Sequence, residues 1–255
     1  MTCHIRLSVV PKRRIFVGRA LALLFVFVVL MLVLAVLGLR LGMVATLVVT
    51  STFGTAFGLE NLALYMTPLL MTGAAVWLAL RAGLWNIGAE GQFLAGAAAA
   101  AAAGLFLPFP ALVTLPLAAC AGMIAGACWS AVPAAGRAWL GVSEIITTLL
   151  LNFIASYLVY YLVTGPWADR ITGAQVSTER IQAVIPVIYG AVHWGGPIAL
   201  AFVMALGLML GRSRFGYELT LSGANPQAAH YAGVSVAPRL FLALLCSGAL
   251  AGLGG

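Results

Sequence analysis

The chain has 255 residues, of which 63% are hydrophobic and only 7% charged, and its formal net charge is +7. A water-soluble domain carries about a quarter charged residues, so this composition excludes one and points to a membrane-embedded chain. The basic residues lie in short segments between apolar runs, not in a patch interleaved with aromatics, which argues against a nucleic-acid partner.

About 20 apolar residues cross a bilayer core. Runs of that kind predict spans over 20–39, 61–80, 92–107, 111–132, 145–164, 196–211 and 240–255. The expected fold class is therefore all-α, a polytopic membrane helix bundle of about seven spans. It is read as a single domain over 1–255, with 1–19 as an N-terminal tail. The tail carries Lys12, Arg13, Arg14 and Arg19, as a signal peptide would. However, Leu21–Leu39 is longer than an h-region of about 7–15 residues and no A-x-A-like site follows, so a retained first span is predicted. Segment 41–60 is rich in Gly, Thr and Ser and reads as an interfacial or re-entrant piece. Ala95–Ala103 is nearly all alanine and glycine, and Gly122 and Gly126 form a G-x-x-x-G. Small residues let membrane helices pack backbone to backbone, within one bundle or between subunits. Cys120, Cys128 and Cys246 lie in apolar runs and Cys3 in the tail; without a C-x-x-C pair they read as small buried hydrophobes. The longest connection, 165–195, carries Asp169, Arg170, Glu179, Arg180 and His193. Tyr157, Tyr160, Tyr161, Trp167, Tyr189 and Trp194 near its ends fit an interfacial aromatic belt. The last apolar run is still continuing at Gly255, so the sequence reads as interrupted there.

Charge sets the orientation. With the N-terminus in the cytoplasm, alternating spans put Arg6, Lys12, Arg13, Arg14, Arg19, Arg81, Arg137, Arg212, Arg214 and Arg239 inside. Arg40, Arg170 and Arg180 are then outside, ten against three, as the positive-inside rule requires.

Three segments break the apolar pattern. Gly83-Leu-Trp-Asn-Ile-Gly-Ala-Glu-Gly-Gln92 sets Trp85, Asn86, Glu90 and Gln92 among glycines. It reads either as a broken helix lining a substrate path or as a polar inner loop with Glu90 solvated. In Val142–Asn152, Ser143 suits an N-cap and Glu144 the first turn of a helix. Thr148, Asn152 and Ser156 then recur at i, i+4 and i+8 on one stripe. Asn152 sits roughly 12 Å along that helix, where its amide needs a partner on a neighbouring helix or a path to line. In Leu221–Val234, Asn225 fits an N-cap, Pro226 the first helical position and Gly233 the C′ position. That predicts a short helix in the inner loop 212–239. Its exposed face is expected to hold Ala228, Ala229 and Ala232, with His230 and Tyr231 as larger contacts. The sequence has no G-x-x-x-x-G-K-[ST] loop, and His4, His193 and His230 are scattered, so neither an ATP site nor a metal site nor another cofactor is expected.

Together these segments resemble the ABC permeases that serve nucleosides and simple sugars, a branch of the branched-chain amino acid and ribose permeases. The family's "G-l-f-N-I-G-a-E-G-Q" matches Gly83–Gln92 with Trp85 for Phe. Its "v-n-E-v-i-s-T-l-m-L-N" matches Val142–Asn152 with Ser143 for Asn. Its "G-x-n-P-x-A-A-x-Y-a-G-i" and "S-G-a-l-A-G-l-a-G" match Gly223–Val234 and Ser247–Gly255. The resemblance covers about 61–255, and family members usually continue for several more spans, so the chain reads as C-terminally truncated against them. It implies a transport subunit, not an enzyme, in the cell inner membrane. The implied partners are separate ABC ATPase subunits, a second permease subunit in a homo- or heterodimer, an extracytoplasmic substrate-binding protein and membrane lipid. The implied substrate path holds Trp85, Asn86, Glu90, Gln92, Thr148 and Asn152. The implied ATPase-docking helix holds Asn225, Pro226, Ala228, Ala229, His230, Tyr231 and Gly233. A secondary transporter or channel, with Glu90 as its coupling carboxylate, and a non-transporting membrane protein remain the competing readings.

Overall fold

The structure is a computed structural model that describes residues 12–38, 40–170 and 176–255, with side chains from Phe16 onward. Cys3, His4 and Arg6, and the side chains of Lys12, Arg13 and Arg14, fall outside the described part. The chain divides into two compact units, Met1–Leu59 and Glu60–Gly255.

In the first unit, α1 (Lys12–Val36) is built almost entirely from Leu, Val, Phe and Ala. Within Phe16–Val36 no residue is buried, so the helix is apolar and open on every side, as a lipid-facing span is. The segment read as interfacial or re-entrant contains α2 (Leu41–Phe53), 13 residues long. At 1.5 Å per residue that is roughly 20 Å, short of a hydrocarbon core of about 30 Å. Thr50 and Ser51 donate their hydroxyls to the Thr46 and Leu47 carbonyls, 2.7 and 2.6 Å away, so neither needs water.

All but the first turn of α3 (Ala56–Arg81) belongs to the second unit. There follow α4 (Ala89–Phe106), α5 (Ala111–Leu140), α6 (Glu144–Thr164), a hairpin of β1 (Val187–Tyr189) and β2 (Val192–His193), then α7 (Gly195–Arg212), α8 (Arg214–Ala224), α9 (Pro226–Tyr231) and α10 (Val236–Gly254). Among the described residues, six helices are long and apolar enough to cross a membrane: α1, α3, α5, α6, α7 and α10. The remaining predicted span, α4, is not one of them, because Glu90 and Gln92 occupy its first turn. It is instead the helix around which the bundle closes.

The centre is α4 against α5 and α10, and glycine makes it. A methyl group placed on Gly122 would meet the Gly252 carbonyl oxygen at 2.8 Å, and one on Gly126 would meet the Gly252 Cα at 2.7 Å. Gly96 of α4 presses on Gly252 too. The G-x-x-x-G of α5 thus packs inside this bundle, against a second one in α10, Gly248 and Gly252. Beside this seam an apolar cluster joins α3, α7, α8 and α10 through Leu78, Ala82, Leu206, Leu210, Leu219, Ala243 and Leu244. Cys120 and Cys128, expected to be buried, are exposed because α5 turns its glycine face, not its cysteine face, inward.

At one end the connection after α6 folds back over the bundle. Trp167 meets Phe106 edge-on with centroids 5.8 Å apart, and the Glu60 carboxylate accepts the Ala191 N–H at 3.1 Å, latching the hairpin to α3. The opposite end gathers Arg81, Arg137, Arg212, Arg214 and Arg239, since α3, α5 and α7 end where α10 begins. There Arg239 pairs with Glu218 at 2.6 Å and Trp139 packs on Phe241 at 4.9 Å, tying α10 to α8 and α5.

Candidate functional site

The turn between α3 and α4 folds irregular backbone into the arginine-bearing end of the bundle. Gly83 takes φ +70°, and a Cβ there would meet Gly223 Cα at 3.1 Å, so glycine fits the position on both counts. From there alternate residues turn inward. Leu84, Asn86 and Gly88 are buried, while Trp85 (60% exposed) and Ile87 point out.

The buried polar groups satisfy one another. Asn86 Nδ2 donates to Gln92 Oε1 and to Ser247 Oγ, both at 2.8 Å, and Gln92 Nε2 donates back to Asn86 Oδ1 at 3.0 Å. Ser247 Oγ in turn donates to the Ala75 carbonyl at 2.6 Å. One closed network therefore joins α3, the turn, α4 and α10, and burial without it would be costly.

Asn152 holds the other side of the turn. A helix leaves its first N–H groups without partners, and Gly88 at the N-cap of α4 has no side chain to offer. Asn152 Oδ1, reaching across from α6, accepts the Gly91 N–H at 2.9 Å, and its Nδ2 donates to the Ile87 carbonyl at 3.0 Å. The amide thus caps a neighbouring helix. Space is tight there: a Cβ on Gly91 would meet Asn152 Oδ1 at 2.8 Å, and one on Gly88 would meet Thr148 Cβ at 2.7 Å. Thr148 and Ser156 share the stripe but donate to carbonyls of their own helix, Glu144 at 2.6 Å and Asn152 at 2.9 Å. Ser143 takes the N-cap position of α6 without a hydroxyl hydrogen bond, contrary to expectation, and instead its carbonyl accepts from Thr147.

Glu144, read from sequence as a first-turn residue, does more than that. Its carboxylate is buried, accepts the Trp85 N–H at 3.3 Å and lies 3.2 Å from Arg137 Nε, joining the turn to the end of α5. Ser247 and Glu144 lie in motifs noted in the sequence but are not among the expected path residues. Each carried a signal, a serine one residue before G-x-x-x-G in an apolar run and a carboxylate seven residues after an isolated arginine. Glu90 is exposed and joins neither network.

The inner-loop helix forms as its caps predict. Asn225 Oδ1 accepts the Ala228 N–H at 3.0 Å, Pro226 stands in the first turn, and Gly233 takes φ +80° past the C-cap. Its faces differ from expectation. Ala229 is fully buried, because a helix of 6 residues needs one side to seat on the bundle. The outward face carries Gln227, His230, Ala232 and Tyr231, the last 94% exposed. Pro226, Gln227, His230 and Gly233 line an open groove of about 660 Å³ with the start of α10. A second groove, about 410 Å³, lies between α4, α5 and α6 along Ala98, Trp129 and Leu158 and contains no residue of the sequence-expected path.

The family described as branched-chain amino acid transport system, permease component, matches residues 58–255. A glucose ABC transporter permease protein of Haloferax volcanii is 39% identical over 218 residues, covering 80% of this chain and 57% of that protein. A guanosine ABC transporter permease protein of Bacillus subtilis is 33% identical over 208 residues, covering 80% of this chain and 60% of the relative. A nucleoside ABC transporter permease protein of Lactococcus lactis is 31% identical over 218 residues, with the same coverage of 80% and 60%. The chain thus spans about three fifths of the length of these relatives. No solved structure matches it.

Proposed function

The chain belongs to the branched-chain amino acid transport permease family, and from that premise we propose that it is a membrane-spanning subunit of an ABC importer for nucleosides or simple sugars. The observation that carries the reading is α9. A capped helix seated by Ala229, with Tyr231 exposed beside an open groove, supports a docking role over that of a plain connector. Separate ATPase subunits dock there, from the cytoplasmic side, an orientation that the arginine distribution supports. The N-terminus is then cytoplasmic, in the inner membrane of the cell. A binding protein delivers substrate to the hairpin end, and a second permease subunit completes the path.

In this reading the path residues divide the work. Trp85 and Glu90 are free to meet substrate, Trp85 by stacking on a base or sugar face. Asn86, Gln92, Thr148 and Asn152 hold the turn that presents them. ATP-driven movement at α9 reaches this turn through α8, whose Gly223 packs on Gly83. A secondary transporter needs a coupling carboxylate within a span. Glu90 is exposed and Glu144 is paired with Arg137, so that alternative gains nothing here.

The test is uptake of labelled nucleoside and glucose in cells carrying the chain with its ATPase and binding protein. Uptake should stop when the ATPase is inactivated, and Gln227→Ala/His230→Ala/Tyr231→Ala should lose ATPase co-purification. Uptake that survives ATPase loss but collapses with a protonophore would establish the secondary transporter instead.

A further inference from the structure

The arginines at the inner end of the second unit fall into two groups. Arg137 and Arg239 each have a glutamate, at 3.2 and 2.6 Å. Arg81, Arg212 and Arg214 have no carboxylate partner and no hydrogen-bond acceptor among the described residues. Arg81 ends α3, and Arg212 and Arg214 flank the junction of α7 and α8. Thr67 of α3 lies against Gly195 and Gly196 of α7, and Trp77 lies against Gly207, so the two helices run parallel. One turn further on, Arg81 comes level with Gly211, next to Arg212, and Arg214 opens α8.

Three features of this corner ask for an anion. The Arg81 guanidinium stands over the Trp77 ring, 6.0 Å from its centroid, and its Nε is closed to solvent with no acceptor. Arg214 occupies the first turn of α8, where the helix dipole disfavours a cation and no acidic side chain offsets it. Arg212 and Arg214 are both exposed. A feature of the flanks says where the anion comes from. Leu80 on α3 and Met204, Leu208 and Met209 on α7 are exposed apolar residues that run away from the corner along the spans. A ligand with a phosphate head and acyl chains fits both parts.

We propose that the corner of Arg81, Arg212 and Arg214 binds the headgroup phosphate of an anionic phospholipid, with Trp77 flanking it and the chains lying along α3 and α7. The guanidinium groups give the phosphate the charge-assisted donors it prefers, and the same contact satisfies Arg81 Nε. The leaflet follows from the orientation proposed above, whereas the binding does not depend on import and is measured without it.

The experiment is native mass spectrometry and thermal melting of the purified protein in detergent with added phosphatidylglycerol, phosphatidylcholine or inorganic phosphate. Phosphatidylglycerol should be retained and raise the melting temperature; phosphatidylcholine and phosphate should do neither. Arg81→Gln/Arg212→Gln/Arg214→Gln should bind phosphatidylglycerol at least about tenfold more weakly, the loss expected from removing charge-assisted contacts. Arg170→Gln, at the other end, should bind as the unaltered protein does. If the triple variant does not fold, Arg212→Gln/Arg214→Gln, at two exposed positions, gives the same reading with a smaller loss. Equal retention of phosphatidylglycerol and phosphatidylcholine overturns the proposal, as does undiminished binding by the variants. A melting shift reproduced by inorganic phosphate alone makes this a free-phosphate site and overturns the lipid assignment. None of these outcomes bears on nucleoside uptake, so the importer reading stands or falls separately.

Discussion

The centre of the bundle and helix α9 are both marked by small residues, and they use them in opposite ways. In the centre, Gly96, Gly122, Gly126, Gly248 and Gly252 let three helices approach until backbone meets backbone. In α9, one alanine, Ala229, seats the helix while His230 and Tyr231 beside it stay exposed. Small side chains in a membrane protein therefore mark close approach, and whether they mark an internal seam or an external surface depends on what faces them.

The largest effect should come from filling the seam. Gly252→Leu places a side chain against the Gly122 carbonyl and the Gly126 Cα, where backbone, not a flexible side chain, must yield. We expect a loss of about 3 kcal/mol or more and little folded protein, read as monodisperse yield after detergent extraction. A normal yield would show that the seam tolerates separation and would remove one side of the contrast.

Next comes the network beside the seam. Asn86→Leu strands the Gln92 amide and removes a donor to Ser247, which should cost about 1–3 kcal/mol per stranded group. Adding Gln92→Leu should cost less than the sum of the single losses, because each amide is the other's partner. Strict additivity in thermal melts would argue against a shared network. Asn152→Leu should behave similarly by stranding the Gly91 N–H and the Ile87 carbonyl.

At α9 the effects should be smaller in stability and larger in association. Gly233→Ala puts a Cβ into the left-handed region at a site with open space around it, so only backbone strain of about 1–2 kcal/mol is expected. Protease sensitivity should rise after Tyr231 and not elsewhere. Tyr231→Ala should leave melting unchanged, since the side chain touches almost nothing, yet weaken ATPase co-purification. A melting loss for Tyr231→Ala would mean that the ring packs within the chain, and α9 would lose its role as a surface. Ala229→Arg belongs with the seam in this comparison, because the buried site cannot accept a charged chain without unseating the helix.

Much of this could be read from the chain alone. Long apolar runs report themselves, because a span must satisfy its own backbone and be apolar outside. The caps of α9 were legible in Asn225, Pro226 and Gly233, because capping is settled by residues within one turn. The resemblance marked Asn86, Gln92 and Asn152 as site residues. It implied that they line a path, whereas in the structure their amides bond to one another and to the turn, and both uses demand the same amides at the same places.

The sequence by itself thus determined the membrane class, the places of most spans, the broken turn after α3 and the existence of α9, all properties of local composition and spacing. Only the tertiary structure decided that α4 lies at the centre, that Asn152 caps a helix other than its own, that Ser247 and Glu144 complete the site, and that Ala229 faces inward. The physical reason is distance along the chain. Asn86 and Ser247 are 161 residues apart, and Asn152 and Gly91 are 61 apart, so no local pattern encodes either bond. Glycine brings the backbones close enough for both, at Gly96 against Gly252 of α10 and at Gly88 and Gly91 against Thr148 and Asn152 of α6.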